Sequence, residues 1–140
     1  MYTLRSRFKS LSLDTPKVMG ILNCNPDSFY TPSRSTDKDM IRLLIDKMVI
    51  DGADIIDIGG MSTKPGSKLI DSEEEIRRIS FALEYCKKQH PDLWLSVDTV
   101  QSEVASYAIV NGADMINDIS GGLMDPNILQ VVGNYQVPFV

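Results

Sequence analysis

Residues 51–57 read Asp-Gly-Ala-Asp-Ile-Ile-Asp, and the pattern returns at residues 111–117 as Asn-Gly-Ala-Asp-Met-Ile-Asn. In each copy, a glycine suited to the left-handed conformation at a helix end precedes apolar residues suited to a strand buried on both faces. The pattern therefore predicts a helix-to-strand connection that is used twice. Such a pattern is common at the junction between a helix and a strand, so it indicates structure and not activity.

The rest of the chain alternates short apolar runs with longer segments of helical period, which is typical of βαβ units in a parallel sheet. The runs predict five strands, at residues 18–22, 54–58, 93–97, 114–117 and 137–140. Apolar spacing and cap residues predict four helices, around residues 40–48, 76–83, 102–110 and 126–135. Ser72 and Glu75 have the spacing of a capping box at the start of the second helix.

The composition is that of an ordinary globular domain, with 43% hydrophobic and 24% charged residues among 140. A net charge of −5 and a pI near 4.7 argue against general binding to nucleic acid or to anionic membranes. No long apolar run follows the basic N-terminus, so we expect neither a secretory signal nor a membrane span and predict a cytoplasmic protein. Cys24 and Cys86 lack metal-type spacing and are expected to be unpaired thiols without a chemical role.

Polar residues follow each of the first four predicted strands. They are Asn23, then Ser62 and Thr63, then Asp98, then Asn117 and Asp118. Ligands bind at the carboxyl edge of a parallel sheet in barrels and in doubly wound folds alike, so one site is predicted at this edge. The first loop, residues 23–29, lacks the glycines of a dinucleotide-binding turn, which disfavours a Rossmann fold.

Each motif also has a plain structural explanation. Residues 25–28 suit a turn, and so does the loop 59–67, although its hydroxyls and lysine also suit a phosphate or pyrophosphate. Asp98 is able to cap the helix that follows it, which is worth about 0.5–2 kcal/mol. Alternatively, it accepts two N–H bonds from a guanidine-like heterocycle, at about 1.5–3 kcal/mol each, with Asn117 as a matched amide. Such a pair would hold a pterin ring.

Four segments in this order resemble the dihydropteroate synthase family. They are Leu-Asn-Cys-Asn-Pro-Asp-Ser-Phe at 22–29, Gly-Gly-Met-Ser-Thr-Lys-Pro-Gly at 59–66, Ser-Val-Asp-Thr at 96–99 and Ile-Asn-Asp-Ile-Ser-Gly-Gly at 116–122. The resemblance implies an α/β fold, the N-terminal part of a TIM (β/α)8 barrel with about five strands and four helices. Residues 1–140 would then be one incomplete pterin-binding barrel domain, with residues 1–16 as a lead-in and residues 17–140 carrying the strands and helices.

The family joins 6-hydroxymethyl-7,8-dihydropterin pyrophosphate to p-aminobenzoate, giving 7,8-dihydropteroate and pyrophosphate in folate biosynthesis, and is a target of sulfonamides. The resemblance implies these small-molecule partners, Mg²⁺ as cofactor, no nucleic acid or membrane partner, and a homodimer for the full-length protein. It assigns Asp98 and Asn117 to the pterin; Asn23, Thr63 and Lys64 to catalysis and the pyrophosphate; Asn23 to the Mg²⁺; and Phe29 and Pro65 to the p-aminobenzoate pocket.

The chain departs from the family pattern in both loops. Met61 stands where Glu is usual, Lys64 where Arg is usual, and Thr31 lies in a stretch where Asp-Gly-Gly is usual. Lysine keeps the positive charge of arginine but lacks the two parallel N–H donors with which arginine binds an anion. A whole barrel takes about 250 residues, so we expect a fragment that is inactive alone and prone to aggregate through residues 137–140. Two alternatives stay open: a methyltetrahydrofolate-dependent corrinoid methyltransferase, against which the loop 62–66 argues, and a non-catalytic truncated homologue.

Overall fold

The computed structural model describes residues 2–7, 9–25, 34–61 and 69–140, without the side chains of residues 34–37. In chain order, its elements are β1 (Thr3–Arg5), β2 (Ser10–Ser12), β3 (Met19–Asn23), α1 (Arg34–Ile50), β4 (Ile55–Gly59), α2 (Ser72–Gln89), β5 (Trp94–Asp98), α3 (Ser102–Val110), β6 (Met115–Asn117) and α4 (Asn127–Tyr135). The first two strands form an antiparallel hairpin, and the other four form a parallel sheet in the order β3-β4-β5-β6.

The parallel sheet has different partners on its two faces. Ile56 and Ile58 lie on the outer face, where they pack into a core with the buried sides of the helices. The inner face carries Ile55, Asp57 and Gly59 of β4, together with their register partners on the neighbouring strands. Strands that follow one another in sequence order, with the helices on one face, are the arrangement of an α/β barrel segment and not of a doubly wound sheet.

Three strands lie one residue later than the sequence predicted, because their last residues pair in the ladder instead of opening a loop. Asn23, Gly59 and Asp98 end β3, β4 and β5 as register partners of one another. Where the fifth strand was predicted, the structure has a single parallel bridge, between Phe139 and Ile116. Its direction is nevertheless the predicted one, since Val140 N donates to Ile116 O at 3.0 Å.

All four predicted helices are present, but the predicted capping box is wrong. Asp71 is the N-cap of α2, and its carboxylate accepts a hydrogen bond from Glu74 N at 2.8 Å. Ser72 is instead the first helical residue, and Glu75 is buried and accepts from Gln101 Nε2 at 2.5 Å. A carboxylate one residue earlier therefore caps the helix in place of the serine. In the part of the chain that the structure describes, no helix is long and apolar enough to cross a bilayer.

The lead-in segment folds as the β1–β2 hairpin, which the sequence did not predict. Lys9, just before β2, donates from Nζ to Asp114 Oδ2 at 2.9 Å and to Leu93 O at 2.8 Å. These bonds fix the hairpin under the amino ends of the parallel strands. Its apolar side chains cover part of the inner face, where Leu4 and Leu11 pack against Ile55, Trp94 and Met115.

The repeated pattern has the structural role that its glycines predicted. Gly52 and Gly112 have φ angles of +97° and +112°, a backbone conformation that other residues rarely adopt, and each ends a helix just before a parallel strand. The next residue closes the turn in the same way in both copies, since Ala53 N donates to Met48 O and Ala113 N donates to Ala108 O, each at 2.9 Å.

Candidate active site at the carboxyl edge of the sheet

One residue from each parallel strand contributes to a row at the carboxyl edge. Asn23, Gly59, Asp98 and Asn117 are successive register partners from β3 to β6. Register partners on parallel strands project to the same side of the sheet, so the side chains of Asn23, Asp98 and Asn117 all project from the inner face. The structure thus brings together Asn23, Asp98 and Asn117, as the polar residues at the predicted strand ends indicated.

Gly59 leaves an opening in the middle of this row. A Cβ atom at this position would lie 3.6 Å from Asn23 Oδ1 and 3.7 Å from Asp98 Oδ2. Glycine within a strand often marks a place where a ligand comes close to the backbone. A flat ring is therefore able to approach the strand between the amide and the carboxylate.

Asp98 is not the cap of the helix that follows it. The N-cap of α3 is Gln101, which makes no side-chain capping bond, and Asp125 Oδ2 accepts from Ser102 N at 2.8 Å instead. The structural explanation that the sequence offered for Asp98 is therefore wrong. Its carboxylate stays half-buried on the inner face beside Asn117.

The surroundings of Asp98 disfavour its negative charge. Burial raises the pKa of this carboxyl group to about 6, and the carboxylates of Asp57, Glu75 and Asp118 add to the rise. Above that pH, Asp98 is an ionised group that only accepts hydrogen bonds. A carboxylate whose pKa is raised in this way, at the carboxyl edge of a sheet, is typical of a functional site.

Asp57 is a site residue that the sequence analysis missed. It lies on β4 two residues before Gly59, on the same face, and its Oδ2 accepts from Asn117 Nδ2 at 2.9 Å. Its side chain is buried, and within the described residues its Oδ1 has no hydrogen-bond partner. The signal was present in the sequence as a single carboxylate inside the apolar run Ile-Ile-Asp-Ile at 55–58.

The loop that leaves β4 is anchored at its start by α2. Arg78 Nη1 donates to Gly60 O at 3.1 Å, and Arg78 Nε donates to Glu74 Oε1 at 2.7 Å. Gly60 also lies against Glu75, since a Cβ atom at this glycine would meet Glu75 Cγ at 2.9 Å. Burial raises the pKa of Glu75, and the Glu75 carboxylate in turn helps to raise the pKa of Asp98. The first two turns of α2 thus fix where this loop begins.

Asp118 has a structural role. Its two carboxylate oxygens accept from Ser120 N at 2.7 Å and from Gly122 N at 2.8 Å, and the residue is buried. These bonds hold a turn in which Gly121 and Gly122 both have positive φ angles. Asp118 therefore stabilises the turn that follows β6.

The remaining predicted site residues lie outside the described residues. These are Phe29, Thr63, Lys64 and Pro65, together with the departure at Thr31. Met61, the departure at the start of the same loop as Lys64, is described and is buried.

A resident metal ion finds little support in the described residues. Within them, no group of three or more His, Cys, Asp or Glu side chains is arranged to hold a metal ion. Asn23 is exposed and offers one neutral amide oxygen. Such a ligand suits Mg²⁺, which keeps several waters and is often bound mainly through substrate phosphates. The residues present therefore fit a metal that arrives with a phosphorylated ligand.

A comparison with protein families identifies this arrangement. A family model described as pterin binding enzyme matches residues 19–140. The chain belongs to the pterin-binding enzyme family. The match starts at the first residue of β3 and includes β3 to β6, the parallel strands of the described residues. The predicted fold, the N-terminal part of a (β/α)8 barrel, is confirmed.

Relatives of the chain include a folic acid synthesis protein and dihydropteroate synthases. The folic acid synthesis protein fol1 of Pneumocystis carinii is 46% identical over 121 residues, which are 86% of this chain and 16% of that protein. The dihydropteroate synthase of Xanthomonas albilineans, solved with 4-aminobenzoic acid, superposes with a TM-score of 0.87 at 38% identity, over 98% of this chain and 50% of that chain. The same enzyme in complex with 7,8-dihydropteroate gives 0.85 at 36% identity, over 99% and 49%. The chain spans half the length of these relatives or less.

Proposed function

We propose that this chain forms the first half of a dihydropteroate synthase, which condenses 6-hydroxymethyl-7,8-dihydropterin pyrophosphate with p-aminobenzoate to give 7,8-dihydropteroate and pyrophosphate. The observation that carries the proposal is the row of Asn23, Gly59, Asp98 and Asn117 on one face of a pterin-binding fold. The similarity to solved dihydropteroate synthases supports it.

The row suits the edge of a pterin ring. A pterin presents its amino group and a ring N–H side by side, and an ionised carboxylate accepts both. Asp98 supplies this acceptor, at about 1.5–3 kcal/mol for each charge-assisted bond. Asn117 supplies a neutral amide next to it, and Gly59 leaves room for the ring to lie against the strand. These residues would fix the orientation of the pterin before any bond changes.

The leaving pyrophosphate needs partners of opposite charge. We assign Asn23, Thr63 and Lys64 to it from the resemblance of their two loops to the family pattern. Asn23 would also contribute its amide oxygen to a Mg²⁺ ion held mainly by the pyrophosphate, and the ion, when bound, would neutralise negative charge on the leaving group. Lys64 carries a single point charge, so we expect weaker anion binding than an arginine would give.

The reaction depends on correct alignment of the two substrates more than on a strong base. The C–O bond between the pterin methylene and pyrophosphate breaks with the electron pair leaving on oxygen, and the amine of p-aminobenzoate forms the new C–N bond and then loses a proton. The protein must align the two substrates and keep water from the electron-poor carbon. In this proposal Phe29 and Pro65 wall the pocket for p-aminobenzoate, which sulfonamides would also occupy.

Assembly and location follow the same proposal. We propose a homodimer for the full-length protein, a cytoplasmic location and small-molecule partners. The net charge of −5 gives no reason to expect nucleic acid as a partner.

Two variants of the full-length polypeptide test the function. Asp98→Ala should lower the affinity for 6-hydroxymethyl-7,8-dihydropterin pyrophosphate, measured by calorimetry with Mg²⁺, at least about 100-fold, because two charge-assisted bonds are lost. The melting temperature should not fall. Asp125→Ala is the control: it removes the bond to the start of α3, so it should lower the melting temperature and keep the affinity.

Three results would contradict the proposal. Unchanged pterin affinity in Asp98→Ala would remove the carboxylate from the site. Equal affinities for the pyrophosphate and for the unphosphorylated alcohol would favour the corrinoid methyltransferase. Binding of both substrates without formation of dihydropteroate would favour the non-catalytic homologue.

A further inference from the structure

Asp57 and Asn117 form a buried contact that the proposed reaction does not use. Asn117 Nδ2 donates to Asp57 Oδ2 at 2.9 Å, across the intervening strand β5. Asp57 is 5% exposed and is the register partner of Ser96. These two residues form a layer of the inner face that lies two residues before the row ending in Asn117. Within the described residues, Asp57 Oδ1 and Ser96 Oγ are both buried without a partner. Because an unpaired buried polar atom costs free energy, this layer requires an explanation beyond packing.

The chemistry of the contact fixes one end of the Asn117 side chain. An asparagine amide carries a donor group and an acceptor atom of nearly the same shape, and its orientation is set by its neighbours. Asp57 Oδ2 is an acceptor in this contact, so it holds the NH₂ group of Asn117 toward β4. The amide oxygen is the other end of the same planar group, so Asp57 does not bind it and it is left for a ligand. Asp98 and Asn117 thus both offer acceptors to a ligand.

We propose that Asp57 is a positioning residue for ligand recognition, which turns the Asn117 amide so that the site prefers a heterocycle edge with N–H donors over one with carbonyl acceptors. This inference rests on the proposed function, because it explains how the same site selects an amino-substituted pteridine. Asp57 acts through Asn117 and does not itself touch the reacting atoms. A purely structural role, in which Asp57 only ties β4 to β6, is the alternative.

Ligand selectivity separates the two roles. Pterin carries a 2-amino group, and lumazine carries an oxygen acceptor at the same position on the same bicyclic ring. The wild-type full-length polypeptide should bind pterin more tightly than lumazine. In Asp57→Asn, residue 57 can donate as well as accept, so Asn117 is free to turn its NH₂ group toward the ligand. The ratio of the two affinities, measured by fluorescence titration, should therefore fall about tenfold or more.

Two further variants make the comparison quantitative. Ser96→Ala removes the other unpartnered polar group of the same buried layer and should leave the ratio unchanged. In an Asn117→Ala background, Asp57→Asn should have no further effect on the ratio, because the amide that it orients is gone. If Asp57→Asn lowers both affinities by the same factor, or changes neither, the positioning role is overturned. A wild-type protein that binds neither pteridine would overturn the proposed function together with this inference.

A measurement on the wild-type protein tests the orientation directly. The side-chain NH₂ protons of Asn117, assigned in ¹⁵N NMR spectra by their loss in Asn117→Ala, should exchange with water more slowly than those of the exposed Asn134. Exchange should stay slow when pterin is added, because the NH₂ group continues to face Asp57. Exchange as fast as at Asn134 would show that the amide is not held, and would overturn the inference even if Asp57→Asn failed to fold.

Discussion

Asp54 and Asp114 occupy the same position in the two copies of the repeated pattern and make the same two kinds of hydrogen bond. Asp54 accepts from Lys17 Nζ at 3.2 Å and from a backbone N–H beside β3 at 2.9 Å. Asp114 accepts from Lys9 Nζ at 2.9 Å and from a backbone N–H of β5 at 3.1 Å. Each carboxylate thus joins its own strand to the neighbouring one and to the segment that precedes the sheet.

Asp114→Ala should destabilise the chain more than Asp54→Ala. The Asp114 side chain is 8% exposed. Its loss leaves a buried N–H without its acceptor and the Lys9 ammonium without its carboxylate partner, which costs about 3 kcal/mol. Asp54 is 30% exposed, so water replaces much of what the lost bonds supplied and the loss of stability is smaller. Urea denaturation of both variants checks the difference. Equal losses would mean that burial does not decide the strength of these contacts.

Gly60→Ala should lower stability, and Gly59→Ala should not. A Cβ atom at residue 60 would lie 3.0 Å from the backbone oxygen of Glu75 and 3.0 Å from Ile79 Cγ2, so the strand end or α2 must shift. Such overpacking costs about 1–3 kcal/mol. At residue 59 the nearest atoms are 3.6 Å away, so the fold should tolerate alanine while the opening in the row narrows. Thermal denaturation distinguishes the pair, and equal melting temperatures would contradict the prediction.

Asp98→Asn should stabilise the folded chain at neutral pH. The pKa of Asp98 is raised to about 6 from an unfolded value of 3.8, so the folded state disfavours the ionised form. This cost is absent below about pH 4, grows as the pH rises through 6 and then stays constant, because both states are then ionised. We expect a gain of about 1–2 kcal/mol at pH 8, after allowance for solvent screening of this half-buried group, and none near pH 4.

Asp125→Asn provides a comparison of opposite sign. Hydrogen bonds from Ser102 and Asn127 lower the pKa of Asp125, so its carboxylate stabilises the fold above the unfolded pKa and loses that effect as the pH falls through the folded value. The variant should therefore be less stable than wild type at pH 8. Urea titrations at several pH values check both variants, and curves of the same sign would refute the assignment.

Both thiols should be unreactive in the folded chain. Burial is the main cause that raises the pKa of Cys24 and the pKa of Cys86 to about 12, so almost no thiolate is present at pH 8. Labelling with a chromogenic disulfide reagent should be slow in buffer and fast for both residues in denaturant. Rapid labelling of either thiol in the folded chain would show that the packing around it opens easily.

The sequence predicted the parallel strands as short apolar runs, with β6 in the second copy of the repeated pattern, and it predicted the helices from the period of their apolar residues. It also placed the polar residues at one edge, since the carboxyl ends of parallel strands meet there. β1 and β2 escaped prediction because each contains a single apolar residue and so forms no apolar run, and their apolar contacts, such as that of Leu4 with Trp94, are distant in sequence. The α2 cap was misassigned because Asp71 and Ser72 are both good N-caps and only the backbone path selects between them.

The role of Asp57 was beyond the sequence for a different reason. A carboxylate in an apolar strand signals an unusual environment, but its partner depends on the register of three strands. Only the structure shows that Asn117, at the equivalent position of the second copy of the repeat, is that partner. The roles of Thr63, Lys64, Phe29 and Pro65 stay predictions.

The hairpin closes one end of the inner face. Leu4 and Leu11 pack against Ile55, Trp94 and Met115, so the amino ends of β4 to β6 are covered in the part of the chain that the structure describes. A ligand bound at Asp98 therefore cannot leave toward the hairpin. Its access lies on the side of the carboxyl edge, where the strand-to-helix loops begin.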